Sequence, residues 1–185
     1  MVKVDITDKI SIPEGVEVSI ESNKILVKGP KGELSRKIFT PGIKIEVKDG
    51  GVIFAIKKAA KKEKMVLKTN EAHLKNMIKG VLEEYKYELK ICSGHFPMTV
   101  ALENGIFTVK NFLGESVPRK KKMLEGINIE IRGNDITVTS IDKEKAGQVA
   151  ASIEALTRVT NKDRRRFQDG IFMTSKAGKK IWKHY

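Results

Sequence analysis

Cysteine is almost absent from this sequence, because Cys92 is the only one among 185 residues. No disulfide can therefore form within the chain, and the sequence predicts a reducing, cytosolic environment. The first fifteen residues are charged throughout and contain no apolar segment typical of a signal peptide. Apolar runs also stay well short of the roughly 20 residues that cross a bilayer. We therefore expect a cytoplasmic protein without a membrane partner.

Acidic residues are scarce relative to basic ones. The chain has 36 Lys and Arg residues against 23 Asp and Glu residues, a net charge of +13. A charge of this sign attracts polyanions such as nucleic acids but does not determine the fold. Because 40% of the residues are hydrophobic, the composition also excludes a largely disordered chain.

The sequence contains an internal repeat. Residues 18–33 (VSIESNKILVKGPKGE) align without a gap with residues 100–115 (VALENGIFTVKNFLGE), at an offset of 82 positions. At a similar offset, GIKIEV at 42–47 matches GINIEI at 126–131. The chain is therefore interpreted as a tandem duplication. We expect a first repeat over 1–83, a second repeat with a linking strand over 84–160, and a basic C-terminal extension over 161–185.

Apolar spacing predicts the same elements in each copy. Alternating apolar residues indicate hairpins over 16–27 and 43–56 in the first copy, and over 98–110 and 127–139 in the second. The predicted turns are Ser22-Asn23, Asp49-Gly50-Gly51 and Gly133-Asn134-Asp135. A helix is expected over about 60–83, and another after Ser140 or Asp142, either of which could cap it.

This order of elements predicts an α+β fold. In each copy a four-stranded antiparallel sheet would carry one helix across one face. Tyr85, Tyr87, Leu89 and Ile91 alternate with polar residues, so the linker is predicted to be a strand that ties the two copies together.

Basic residues cluster in two places. Residues 158–185 contain nine basic and two acidic residues, and a predicted loop at 119–122 adds four more. The first copy is expected to be close to neutral by comparison, so the second should carry the binding face. The predicted nucleic-acid-binding residues are Arg119, Lys120, Lys121, Lys122, Arg158, Lys162, Arg164, Arg165, Arg166, Lys176, Lys179, Lys180, Trp182 and Lys183.

Residue types in the extension support contact with RNA. Arg presents a planar fork that matches two phosphate oxygens, and Trp182 or Tyr185 could stack on an unpaired base. Phe167, Ile171 and Phe172 are expected to dock the segment onto the domain. Residues 173–185 contain few apolar side chains, so they are expected to become ordered only on RNA. The alternative interpretation is a basic solubilising tail.

Other patterns resemble catalytic or ligand sites only superficially. Cys92 and His95 have the spacing of one half of a metal site, but there is no second pair of ligands to complete it. Gly29-Pro30-Lys31-Gly32 lacks the G-K-[ST] of a phosphate-binding loop and is interpreted as a turn. Asp163 and Asp169 are interpreted as partners of neighbouring Arg residues. We therefore predict no active site, metal site or cofactor.

A longer motif resembles a known family. The run RRRFQDGIF at 164–172, with Gln148 before it and Lys176 after it, is similar to the C-terminal signature of the large-subunit ribosomal protein family numbered six in the bacterial scheme, in its archaeal and eukaryotic form. VKGPKGEL at 27–34 resembles that family's first-domain motif, and the resemblance covers essentially the whole chain. Phe172 stands where the signature often has Tyr.

The resemblance implies a structural protein without catalytic residues. It would bind large-subunit ribosomal RNA, chiefly through its second domain and C-terminal extension, beside neighbouring ribosomal proteins and close to where translation factors dock. Two alternatives remain. One is a free-standing nucleic-acid-binding module that shares only the fold, and the other is an enzyme, which could depend only on Cys92 and His95.

Overall fold

A computed structural model describes residues 4–21, 24–38, 42–48 and 50–181. The chain divides into two compact units between Glu84 and Tyr85. Several predicted features lie outside the described residues, namely Ser22-Asn23, Asp49, Trp182, Lys183 and Tyr185.

The first unit contains two antiparallel sheets of three strands and one long helix. One sheet has the order β1-β6-β5, and the other has the order β2-β3-β4. The elements are β1 Val4–Ser11, β2 Glu17–Glu21, β3 Lys24–Gly29, β4 Gly32–Lys37, β5 Lys44–Lys48, β6 Gly51–Ala59 and α1 Lys61–Leu82. The helix packs against strands of both sheets.

The second unit repeats this plan and extends it. Its elements are β7 Tyr85–Cys92, β8 Thr99–Glu103, β9 Ile106–Lys110, a 3₁₀ turn Phe112–Gly114, β10 Arg119–Lys122, β11 Asn128–Arg132, β12 Asp135–Ser140, α2 Lys143–Leu156, β13 Gly170–Lys176 and β14 Lys179–Lys180. Strands β10-β9-β8 form one sheet, and β11-β12-β7-β13-β14 form the other. Strand β7 therefore occupies the position that β1 has in the first unit, and β13 and β14 are added beyond it.

The predicted α+β class, the four hairpins and both helices are confirmed. Asp142 is the N-cap of α2, since its carboxylate accepts hydrogen bonds from the backbone N–H groups of Glu144 and Lys145. The Pro30-Lys31 turn joins β3 to β4, as the turn interpretation required. The predicted linker strand is β7, in which Tyr85, Tyr87, Leu89 and Ile91 are all buried.

The prediction of one four-stranded sheet per copy is wrong. Each copy distributes its strands over two sheets, because β4 and β10 each add a third strand to the first hairpin of their copy. Lys120, Lys121 and Lys122 belong to β10, so the predicted loop at 119–122 is a strand paired with β9. The sequence RKKK has no apolar alternation, and backbone pairing alone makes it a strand.

Residues 173–180, part of the segment expected to become ordered only on RNA, form regular structure in β13 and β14. Strand β13 pairs with β7 from Gly170 opposite Cys92 to Ser175 opposite Glu88, and β14 pairs with its end. Backbone hydrogen bonds to an existing strand order this segment. The count of apolar side chains is therefore a poor guide here.

Each unit has its own hydrophobic core. The first is built around residues such as Phe54, Leu67 and Leu74, and the second around residues such as Phe107 and Ile153, all at most 1% exposed. Helix α2 contributes Ala146, Val149, Ala150 and Ile153 to the second core. Neither described helix has the length and apolarity that crossing a membrane requires.

Candidate nucleic-acid interface

The densest group of predicted binding residues lies on one loop between α2 and β13. We call residues 158–169 the arginine loop. Its two ends meet at Thr157, which is buried and whose hydroxyl oxygen accepts a hydrogen bond from the backbone N–H of Ile171 over 2.8 Å. The same hydroxyl donates to the carbonyl of Glu154 over 3.3 Å. Because Ile171 is a core residue at 1% exposure, the loop is anchored to the interior of the second unit.

Asp163 organises the tip of the arginine loop. Its carbonyl oxygen accepts hydrogen bonds from the backbone N–H groups of Arg166, over 3.1 Å, and Phe167, over 2.9 Å. Its carboxylate pairs with the guanidinium of Arg165 at 2.8 Å. The hydrogen bonds from the Arg165 side chain and then its backbone lower the pKa of Asp163. The predicted pairing of Asp163 with a neighbouring Arg is confirmed. Arg164, Arg165 and Arg166 are all exposed.

Asp169 has a different partner from the one predicted. It is 2% exposed, and its carboxylate accepts hydrogen bonds from the backbone N–H groups of Gly94 and of His95, the latter over 3.2 Å. The ring Nδ1 of His95 lies 3.0 Å from the other carboxylate oxygen. Burial alone raises the pKa of Asp169, but the hydrogen bonds from Gly94 and His95 outweigh it and lower the pKa overall. The prediction that Asp169 pairs with an Arg is therefore wrong.

Aromatic contacts join the arginine loop to the same segment. The ring of His95 lies 5.1 Å from that of Phe167, and the ammonium group of Lys162 lies 4.9 Å from the Phe167 centroid. A cation at this distance from a ring face is attracted to it. Phe167 and Phe172 are half-buried and Ile171 is buried, which agrees with the predicted docking of this segment.

Arg119 is half-buried, and its guanidinium is engaged by neighbouring groups of the protein. Its guanidinium pairs with the carboxylate of Glu115 at 2.6 Å and donates to the carbonyl of Leu156 at 2.8 Å. It also stacks over the ring of Phe112 at 4.3 Å. Leu156 is the last residue of α2, so Arg119 satisfies a terminal helix carbonyl and complements the negative end of the helix dipole. The hydrogen bond from Arg119 lowers the pKa of Glu115.

The other predicted residues form separate groups. Lys120, Lys121 and Lys122 are exposed on β10. Lys176, Lys179 and Lys180 are exposed on the β13–β14 hairpin. Strand β13 has seven residues, which places this hairpin roughly 20 Å from the start of the strand, where the arginine loop ends. The structure therefore does not gather all the predicted residues into one cluster.

The first unit is not close to neutral, contrary to the expectation. Residues 1–84 contain 17 Lys and Arg residues against 12 Asp and Glu residues, a net charge of +5. Several of its lysines are paired with acids, as in the contacts of Lys68 and Lys75 with Glu71 at 3.0 and 2.6 Å. The two units therefore differ less in net charge than in how closely their basic residues are grouped along the sequence.

A neighbouring segment gave no signal at the sequence level. Asn111 and Leu113 have positive φ angles of 59° and 49°, which is uncommon for a branched residue such as Leu. The side-chain amide of Asn111 donates to the carbonyl of Pro97 over 3.0 Å. Gly114, also at positive φ, lies beneath the ring of Phe96, which is 42% exposed. Residues 93–97 are thus held between this segment and the arginine loop. The sequence does not indicate these contacts, because the residues that make them are far apart in the chain.

Comparison with known proteins agrees with the duplication. The profile described as ribosomal protein L6 matches twice, at residues 12–84 and 96–170. Three relatives are each named "Large ribosomal subunit protein uL6". The protein from Nanoarchaeum equitans is 46% identical and covers 94% of both chains. That from Methanosarcina mazei is 44% identical over 96% of this chain and 100% of its own.

The third relative, from Methanobrevibacter smithii, is 41% identical over 95% of this chain and 99% of its own. These names describe ribosomal proteins rather than enzymes, and the second profile match contains the whole arginine loop. Two profile matches and three nearly full-length relatives lead to one conclusion, that this chain belongs to the ribosomal protein L6 family.

Proposed function

We propose that this protein is a structural constituent of the large ribosomal subunit in the cytoplasm. It binds large-subunit ribosomal RNA mainly through its second unit and C-terminal residues, beside neighbouring ribosomal proteins and near the translation-factor binding region. Membership in the L6 family supports the ribosomal assignment. Proximity to translation factors depends only on the motif resemblance. Cross-linking of a factor to the subunit-bound protein would test it.

The observation that carries the RNA-binding proposal is the arginine loop. Arg164, Arg165 and Arg166 are exposed on a loop whose base is anchored to the core. A loop with an anchored base loses less backbone conformational entropy when it binds. The guanidinium groups that it carries match the geometry of phosphate oxygens. Shape and phosphate contacts of this kind are how proteins recognise folded RNA.

The remaining basic residues extend the proposed RNA contact. The β13–β14 hairpin presents Lys176, Lys179 and Lys180, and β10 presents Lys120, Lys121 and Lys122. The distance between the arginine loop and the hairpin suits an extended RNA surface better than a single phosphate group. Lys183 and the stacking of Trp182 on a base stay predictions. Arg119 is assigned a minor role, because its guanidinium is already engaged by Glu115 and Leu156.

Replacement of Arg164, Arg165 and Arg166 together by Ala tests the placement of the RNA contact. We expect the affinity for in vitro transcribed large-subunit RNA to fall at least about tenfold at moderate salt, with a shallower salt dependence because fewer phosphates are neutralised. The matched control replaces Lys61, Lys62 and Lys64, which are exposed in the first turn of α1. Equal weakening by the control variant would contradict the placement.

Sedimentation of a cell extract tests the ribosomal assignment. We expect the protein to remain in the large-subunit peak at one copy per subunit after a high-salt wash. Recovery mainly in light fractions, or release by modest salt, would instead support the free-standing RNA-binding module.

A further inference from the structure

We infer that Asp169, acting together with His95, is a positioning residue that fixes the arginine loop in the orientation in which its guanidinium groups meet RNA. The inference rests on the proposed function, because it assumes that this loop contacts RNA. It assigns a role to a buried carboxylate and an imidazole, neither of which is among the residues predicted to contact RNA.

The first argument is the position of Asp169 in the loop. It is the last residue of the arginine loop and directly precedes Gly170, the first residue of β13. Thr157, just before the loop, is already tied to Ile171, so this bond fixes where the loop begins and ends. It does not fix the direction in which the loop projects. A second attachment, to a segment of the protein other than the one that closes the loop, is needed for this.

Asp169 provides that second attachment. Its carboxylate accepts hydrogen bonds from the backbone N–H groups of Gly94 and His95. The ring Nδ1 of His95 also lies within hydrogen-bond distance of it. The acceptor is 2% exposed, so water competes poorly for these hydrogen bonds. His95 then contacts the ring of Phe167 inside the loop, which links the carboxylate to the residue next to Arg166.

The segment that receives Asp169 is itself shaped for this contact. A Cβ atom on Gly94 would lie 3.2 Å from the Asp169 carboxylate oxygen, closer than most real Cβ contacts. Glycine therefore allows the carboxylate to approach the backbone. On its other side, residues 93–97 are held by the hydrogen bond from Asn111 to Pro97. The loop is attached to a segment that is itself fixed.

This arrangement has a consequence for binding. A loop of twelve residues that samples many orientations must lose that freedom when it binds RNA, and the loss weakens affinity. Attachment through Asp169 limits this freedom before RNA arrives. If the attachment is broken, the three arginines keep their charges. However, fewer of them then contact RNA phosphates at the same time, so the affinity falls.

The test is a cycle of substitutions measured with in vitro transcribed large-subunit RNA at several salt concentrations. We expect Asp169→Asn to weaken binding about tenfold and to make the salt slope shallower by about two, as for two lost phosphate contacts. In the background where Arg164, Arg165 and Arg166 are Ala, the same substitution should weaken binding less than about twofold, because it acts through those residues.

Variants at His95 keep the test decisive if Asp169→Asn folds poorly. His95→Gln retains an N–H donor for the carboxylate, so its affinity should stay within about threefold of wild type. His95→Ala should behave like Asp169→Asn. The matched control is His73→Gln on α1 in the first unit, which should leave RNA affinity unchanged. A loss of folded protein alone would reduce the active fraction but leave the salt slope as it was.

Three outcomes separate the inference from the proposed function. If the triple Ala variant weakens binding but Asp169→Asn and His95→Ala leave affinity and salt slope unchanged, the positioning role is overturned and the proposed function stands. Equal weakening by Asp169→Asn with and without the three arginines also overturns it, since the effect would not pass through them. If the triple Ala variant binds RNA normally, the proposed placement of the RNA contact fails and the inference fails with it.

Discussion

At the residue scale, Asp169 links stability to pH. Its folded-state pKa is lowered, so the unfolded state binds a proton more readily than the folded state. The resulting stabilisation is complete above the unfolded pKa of about 4 and is lost as the pH falls through the lower folded value. We predict that the difference in unfolding free energy between the wild type and Asp169→Asn is largest near neutral pH and shrinks in acid. Urea denaturation at a series of pH values measures it.

Gln168→Ala serves as the control for this prediction. Gln168 is exposed in the same loop and does not titrate, and its side chain donates to the carbonyl of Arg165. Its pH dependence should follow that of the wild type. A difference for Asp169→Asn that grows in acid would have the wrong sign and would refute the lowered pKa.

At the element scale, the start of α2 depends on one side chain. The Asp142 carboxylate accepts hydrogen bonds from the N–H groups of Glu144 and Lys145 at 2.9 and 3.3 Å. We predict that Asp142→Ala lowers the unfolding free energy of the second unit by about 1 kcal/mol, whereas Asp142→Ser lowers it less. Chemical denaturation followed by circular dichroism checks this. Equal stability of the Ala variant and the wild type would show that the cap is dispensable.

The elements also show what the sequence could predict and what it could not. The hairpins and helices follow from apolar periodicity and turn residues, which are local. Strand β10 was missed, because Arg119–Lys122 is a strand only through pairing with β9. In the candidate site, the arginine loop was evident from charge. The partner of Asp169 was not, because His95 lies 74 positions away and nothing in either local sequence indicates the other.

At the scale of the whole molecule, the two cores share no residue. We predict that Phe107→Ala, at a site with 0% exposure, destabilises the second unit by about 3–5 kcal/mol and leaves the first unit folded. Phe54→Ala, also at a site with 0% exposure, should destabilise the first unit and leave the second unit folded. Two-dimensional NMR of each variant checks this, because only the amide signals of the destabilised unit should lose their chemical-shift dispersion. Simultaneous loss of both sets of signals would show that the units unfold cooperatively.

The added strand of the second unit has a kinetic consequence. Ser175 pairs with Glu88 across 87 positions of the chain, whereas the pairing of β1 with β6 in the first unit spans at most the 55 positions between Val4 and Ala59. Folding rates fall as contacting residues become more distant in sequence, since a longer loop must close before the contact stabilises anything. After dilution from denaturant, the first unit should therefore recover its structure first. The arginine loop, which ends where β13 begins, would then acquire its shape in the slowest step.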